Sequence, residues 1–286
     1  MMEQDMILKL IYAGFTTGQL HRFKERFGCF NYIQLKYEML LSEFADAKMH
    51  AKLSRMNLLD AGQIREDLQR KGIVPLFYSD PGYPQLLLEL YDYPLLLFCK
   101  GHLNYLTEPH CLAVVGGRER TSYTRTVLDQ FIPELVRHQV VIVSGLAKGT
   151  DSDAHILAVH HHGKTIGVLG FGHDFHYPEE TRLLRKYMEQ HQLVISEYPP
   201  HITSRAWQFP ERNRIISGLC RGTFITEAKK RSGSLITCDQ ALDQNRNVYC
   251  LPGPITSVYS EGCNLRISEG AKPCLSVVDI LEDYQS

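Results

Sequence analysis

The sequence predicts an α/β protein in which a doubly wound, mostly parallel sheet follows a small all-helical domain. Three observations predict it. From Cys111 onward, six short apolar runs rich in β-branched residues alternate with helical patterns, the rhythm of βαβ units whose sheet is covered on both faces. The first 72 residues read instead as short helices. Nearly every unusual residue group of the second part lies at the carboxyl end of an apolar run, where open α/β sheets form their ligand crevice.

In chain order, the helical part (1–72) reads as MILKLIYAGF, then TTGQLHRFKERFG with a threonine N-cap signal, then NYIQLKYEMLLSEFADAKM, then SRMNLLDAGQIREDLQRKG. Residues 73–110 open with IVPLFYSDPGYPQLLLELYDYPLLLFCKG, a stretch rich in proline and tyrosine. That composition suits an extended connector packed on the next domain. Residues 111–286 form the sheet domain, with strands expected at CLAVVGG, QVVIVSG, KTIGVLG, QLVISEY, GTFITEA and NVYCLPG.

At 286 residues and 44% hydrophobic content the chain can bury a full core. No signal peptide is recognisable and no apolar run is long enough to span a bilayer, so a cytoplasmic protein with no membrane partner is expected. The eight cysteines show no CxxC spacing, which fits reduced core thiols better than zinc or disulfides. His160, His161 and His162 point in different directions on a helix and suit a wet helix end rather than a metal site. Net charge is −1, yet Ser204 to Ser232 holds seven basic residues against two acidic ones. That segment is therefore +5 and the remainder −6. A solvated charge run explains such a bias, and so does a nucleic-acid footprint.

Five strand ends carry candidate chemistry. VVGGRERTS offers Gly116 and Gly117 for close backbone approach and Arg118 for a phosphate or a base face. It lacks a GxGxxG fingerprint, which disfavours a dinucleotide cofactor; no cofactor is expected. VSGLAKGTDSDAH brings Ser144, Gly145 and Lys148 to a Gly-rich turn entering a helix that Asp151 or Ser152 could cap. LGFGHDFHYP supplies Gly170, Gly172, Asp174 and Tyr177, a ring that could stack on a base or close the core. ISEYPP places Glu197 at a fourth end, and EAKKRSGSLIT runs from Glu227 to a helix start at Ser232, Gly233 and Ser234 that could hold a phosphate. Ahead of that strand, FPERNRIISG sets Phe209, Arg212, Asn213 and Arg214 at the mouth of a helix, where cations are unfavourable without an anion. Arginines bridging local carboxylates such as Glu211 are the plainer explanation. No GxSxG, HExxH or similar motif appears, and Glu197, Glu227 and Asp174 suit orienting arginines better than acid–base work. Binding rather than catalysis is expected.

The strings VVGGR, SGLAKGTDSDAH, GVLGFGHDFHYP, SEYPP, FPERNRIISGL, EAKKRSGSLIT, LPGPI and EGCNLRISEGAK, in this order, closely resemble the DprA/Smf family. The resemblance covers roughly residues 75 to 275, and the helical part looks, more weakly, like that family's sterile-alpha-motif-like domain. It implies an extended Rossmann-like domain that binds single-stranded DNA, displaces single-strand-binding protein and loads the RecA recombinase in natural transformation. It also implies a homodimer built through the region from about Leu235 to Lys272. By motif, Arg118 is the expected DNA contact, helped by Gly116, Ser144, Gly145, Lys148, Gly170, Gly172, Phe209, Arg212, Asn213 and Arg214, with Asp151, His155, Asp174, Tyr177, Glu197 and Glu227 in support.

The sequence departs from that pattern at Gly117, at Thr150, at Glu179 to Thr181, where Arg182 or Arg185 could substitute for a missing basic residue, and at Arg266. The alternative is a nucleotide-hydrolysing enzyme of the lysine-decarboxylase-like Rossmann group. That group is marked by PGGxGTxxE, of which only GTFITE is present.

Overall fold

The computed structural model describes residues 3–30 and 46–284. The described helices of the N-terminal part are α1 (Glu3–Tyr12), α2 (Thr17–Phe27), α3 (Ala47–Leu58) and α4 (Ala61–Arg70). Thr16 caps α2 with a full capping box closed by Gln19, as the threonine signal predicts. SRMNLLDAGQIREDLQRKG, read as one helix, is two. Leu59 is extended and the Asp60 carboxylate accepts from the Gln63 amide, ending α3 and starting α4. The helix expected at NYIQLKYEMLLSEFADAKM lies largely outside the described residues; its last three residues open α3.

The stretch read as a connector is part of the sheet. It contributes β1 (Val74–Phe77), the short α5 (Gln85–Leu88) and β2 (Leu96–Gly101). Then follow β3 (Cys111–Val115), α6 (Ser122–Arg137), β4 (Val141–Ser144), α7 (Thr150–His160), β5 (Thr165–Leu169), α8 (Arg182–His191) and β6 (Leu193–Ser196). The chain closes with α9 (Gln208–Gly218), β7 (Gly222–Ile225), α10 (Gly233–Asp243), β8 (Asn247–Cys250), α11 (Glu261–Ser268), β9 (Lys272–Pro273) and α12 (Val278–Leu281). Each of the six expected strands is present.

The sheet order is β1-β2-β6-β5-β4-β3-β7-β8-β9. β1, β2 and β6 pair antiparallel and the other pairs are parallel. From β3 the chain winds one way through β4, β5 and β6, then returns to the other side of β3 for β7, β8 and β9. The switch point therefore lies between β3 and β7, and a crevice is expected beyond their carboxyl ends.

Strand alternation builds the two cores of the sheet. Cys111, Ala113 and Val115 of β3 pack on one face with Val143, Ile225 and Val248, while Leu112 and Val114 pack on the other with Ile142, Phe224 and Tyr249. A third core fills the helical part, and β1 and β2 are its wall: Phe77, Leu96 and Phe98 face Met6, Ile7, Leu10 and Leu68, whereas Leu76, Leu97 and Cys99 face the sheet core. All eight cysteines are free thiols and seven are buried. No helix among the described residues is long and apolar enough to cross a membrane.

Candidate nucleic-acid interface

A groove opens at the switch point. One lobe, about 630 Å³, is lined from β3 by Val115 to Glu119, from α9 by Phe209, Pro210, Arg212, Asn213 and Ile216, and beyond β7 by Glu227, Lys229 and Ser232 to Ser234. A second lobe, about 460 Å³, lies beyond β4 and β5 and is lined by Gly145 to Lys148, Phe171 and His176 to Glu180. The lobes share Arg118, Ala147, Tyr177, Phe209 and Arg212. These five residues mark the centre of one continuous track.

Glycines let the backbones close up beneath this track. A Cβ on Gly116 would lie 2.3 Å from Thr226 Oγ1 and 2.4 Å from Thr150 Oγ1, and one on Gly145 would lie 2.4 Å from the Arg212 guanidinium. Gly149, at φ +89, passes under the carbonyls of Gly117 and Arg118. Gly170 sits against the Phe209 ring. At the start of α10 the Ser234 hydroxyl donates to the Gly116 carbonyl at 2.7 Å, tying this helix end to the β3 loop. Gly233 has open space around it.

Arg212 is 5% exposed. Its guanidinium donates to the carbonyls of Gly145 and Val168 and to Asn213 Oδ1. Burial pulls its pKa down to about 10, the Asp151 charge opposes that shift, and Arg118 adds to it. Among the described residues, every hydrogen bond Arg212 makes ends on a neutral oxygen. Arg118 is exposed and makes no ion pair with the described residues. Burial raises the Asp151 carboxyl above the usual carboxylate range, against the pull of Arg212. Its Oδ2 accepts from the Ala147 amide, so neither it nor Ser152 caps α7, which begins after Gly149.

Aromatic surface adjoins the cations. Tyr177 is 46% exposed and its ring centroid is 5.7 Å from that of Phe209, tilted by 46°. Five carboxylates also line the track, and each has a local partner. Glu179 pairs with Arg182, Glu180 lies 3.7 Å from Lys148, and Glu119 pairs with Lys229. Glu227 accepts from the Thr121 amide and hydroxyl and the Thr124 hydroxyl at 2.7–2.9 Å. The fifth, Asp151, accepts from the Ala147 amide.

Several expectations are corrected by these positions. Arg212 and Arg214 are the fifth and seventh residues of α9, not its mouth. Arg214 faces away from the groove and is held by Glu197 and Asp92. Glu197 thus does orient an arginine. Glu227 instead anchors the start of α6, and Asp174 pairs with Lys71 of the helical part at 2.7 Å. The three acids are not brought together. Ser144 donates to the Val114 carbonyl and is fully buried. Gly172 packs under the carbonyls of Pro199 and Pro200. His155 is buried with Nδ1 on Thr165. None of these lines the groove.

Nor does Arg185 substitute for a missing base, since it is spent on Glu189 and the carbonyls of His173 and Phe175. The sequence reading missed Asp92, Thr121 and Thr124, whose partners lie more than 100 residues away. It also missed Lys229, Tyr259 and His176 as lining residues. Lys229 alone had left a signal, within the basic run.

The profile of the family described as DNA recombination-mediator protein A matches residues 75–285. The DNA processing protein DprA of Streptococcus pneumoniae is 39% identical over 284 residues, which are 98% of this chain and 97% of the relative. That of Bacillus subtilis is 40% identical over 75% of this chain and 72% of its own length. The X-ray structure of the S. pneumoniae protein superposes with a TM-score of 0.83 at 38% identity, covering 96% of each chain. A structure of DprA from Helicobacter pylori, described for its mode of single-stranded DNA binding, superposes with a TM-score of 0.67 at 26% identity, covering 73% of this chain and 95% of that one. By sequence and by fold, the chain belongs to the DprA/Smf family of DNA recombination-mediator proteins.

Proposed function

We propose that the groove binds single-stranded DNA and that the protein is a recombination mediator that protects incoming strands and loads the RecA recombinase on them. One observation carries the DNA reading. Arg212 is a buried guanidinium whose hydrogen bonds end on neutral oxygens, with the cation Arg118 beside it. A phosphate meeting both would supply the anion this pair lacks. The start of α10 offers the amides of Gly233 and Ser234 to a neighbouring phosphate, and Phe209 with Tyr177 offers faces for an unstacked base. Bases already stacked in a duplex have no such use for the rings. The protein is expected to act in the cytoplasm, as a homodimer. Exposed Ile236, Leu242 and Leu265, within the region from Leu235 to Lys272, support an interface there.

The test is binding to a fluorescent oligonucleotide, single-stranded against duplex, over a salt series. Wild type is expected to prefer the single strand, with log K falling by about 0.7 per phosphate neutralised for each decade of salt. Arg118→Ala is expected to weaken binding and flatten that slope by about one phosphate's share. Equal binding of both DNA forms would overturn the reading. Release of free base from a nucleoside monophosphate would replace it with hydrolysis. RecA loading is tested by strand exchange on DNA coated with single-strand-binding protein, where the wild type is expected to relieve the block.

A further inference from the structure

We propose that Arg214 and Glu197 are positioning residues for the groove and that through them the packing of the helical part sets the DNA affinity. The inference rests on the single-strand-binding reading above. Arg212 and Arg214 are two residues apart on α9, so about 200° separates them around the helix and they cannot share a face. The face that carries Phe209, Arg212 and Asn213 lines the groove. The opposite face is clamped.

Arg214, 8% exposed, donates from Nη1 and Nη2 to the two oxygens of Glu197 at 3.0 and 2.8 Å. It also donates from Nε to Asp92 Oδ2 at 2.9 Å and from Nη2 to the Asp92 carbonyl at 3.0 Å. This fork joins α9 to the end of β6 and to the loop before β2. The helical part holds Glu197 directly and Asp92 through its chain neighbour Tyr93. The hydroxyl of Thr17, the first residue of α2, donates to Glu197. Next to Asp92, the Tyr93 carbonyl lies 2.8 Å from the His21 ring nitrogen, and its hydroxyl accepts from Lys24 Nζ at 2.6 Å. Three contacts from α2 thus reach one residue that orients Arg214, Glu197, and the chain neighbour of the other, Tyr93 beside Asp92. Because a helix moves as a rod, tilting α9 at this clamp displaces Phe209 and Arg212 on its other side.

The experiment measures oligonucleotide affinity of the full chain, with thermal unfolding in parallel, for Glu197→Gln and Thr17→Val. A phosphate ligand masked by Glu197 and a positioning residue held by it predict opposite signs. If Arg214 positions, Glu197→Gln loosens the fork and single-strand binding weakens about 3- to 30-fold at temperatures where the protein is fully folded. If Arg214 is a masked ligand, the same change frees it and binding tightens. Thr17→Val, a change outside the groove, is expected to weaken binding about two- to threefold.

Unchanged or tighter binding in Glu197→Gln overturns the proposal. Should that variant not fold, Thr17→Val decides, and unchanged affinity overturns it. A wild type that ignores single strands would defeat the DNA reading itself; wild-type binding with insensitive variants defeats the positioning role alone.

Discussion

The two faces of α9 show what partners do to a buried cation. Arg212 and Arg214 are almost equally buried, at 5% and 8% exposure. For both, desolvation lowers the pKa. At Arg212 it prevails and leaves the group at about 10, because the nearby acid, Asp151, makes no direct ion pair with it. At Arg214 the charges of Glu197 and Asp92 outweigh it and drive the pKa above the ordinary arginine value. One guanidinium is electrostatically complete within the protein and the other is not. Burial alone does not mark an arginine as structural; the nature of its acceptors does.

Substitutions should separate the two residues. Arg214→Ala strands Glu197 as a buried charge without its main partner, and urea unfolding is expected to show a loss of about 3–5 kcal/mol. Equal stability would break the comparison. Arg212→Ala should act in the opposite register: single-strand affinity falls by about 30-fold or more, the loss of a charge-assisted contact worth about 2–5 kcal/mol, while the fold survives. Retained affinity would show that the incomplete cation is not the phosphate site. Phe209→Ala sharpens the picture on the groove face. It is expected to cost about 1–3 kcal/mol of single-strand binding through lost stacking, read by the same titration.

A pH-dependent effect lies beneath the groove. Burial, reinforced by Arg212, holds the His155 pKa down to about 3. Below about pH 6.5 the unfolded chain takes up a proton there that the folded chain refuses until about pH 3. Stability from this group is therefore complete above pH 6.5 and falls by about 1.4 kcal/mol per pH unit between those values. His155→Gln should flatten that part of the stability–pH curve, as followed by urea unfolding from pH 7 to 4.

Much of this was legible in the sequence, for reasons tied to particular residues. Short runs rich in β-branched residues placed all six central strands, and their carboxyl ends brought Gly116, Arg118, Lys148, Tyr177 and Ser232 to Ser234 into one groove with Arg212 of α9. What escaped depended on long-range pairing. Local composition made residues 73–110 look like a connector, because prolines and tyrosines hide two strands whose partners are each other and β6. RNR reads the same for a ligand and for a brace, and only the distant Glu197 and Asp92 decide which arginine is which. Asp60 was a visible N-cap residue, yet the apolar spacing around it ran on and concealed a break between two helices.

The strands β1 and β2 have a thermodynamic consequence. Their alternate side chains belong to different cores, so Phe77, Leu96 and Phe98 lose their covering if the helices leave, while Leu76 and Leu97 lose theirs if the sheet does. A partition built from both sides couples the melting of its neighbours. Cutting the chain near residue 72 would not release an independent sheet domain but would expose an oily edge. Heating the intact protein should give one cooperative calorimetric transition rather than two.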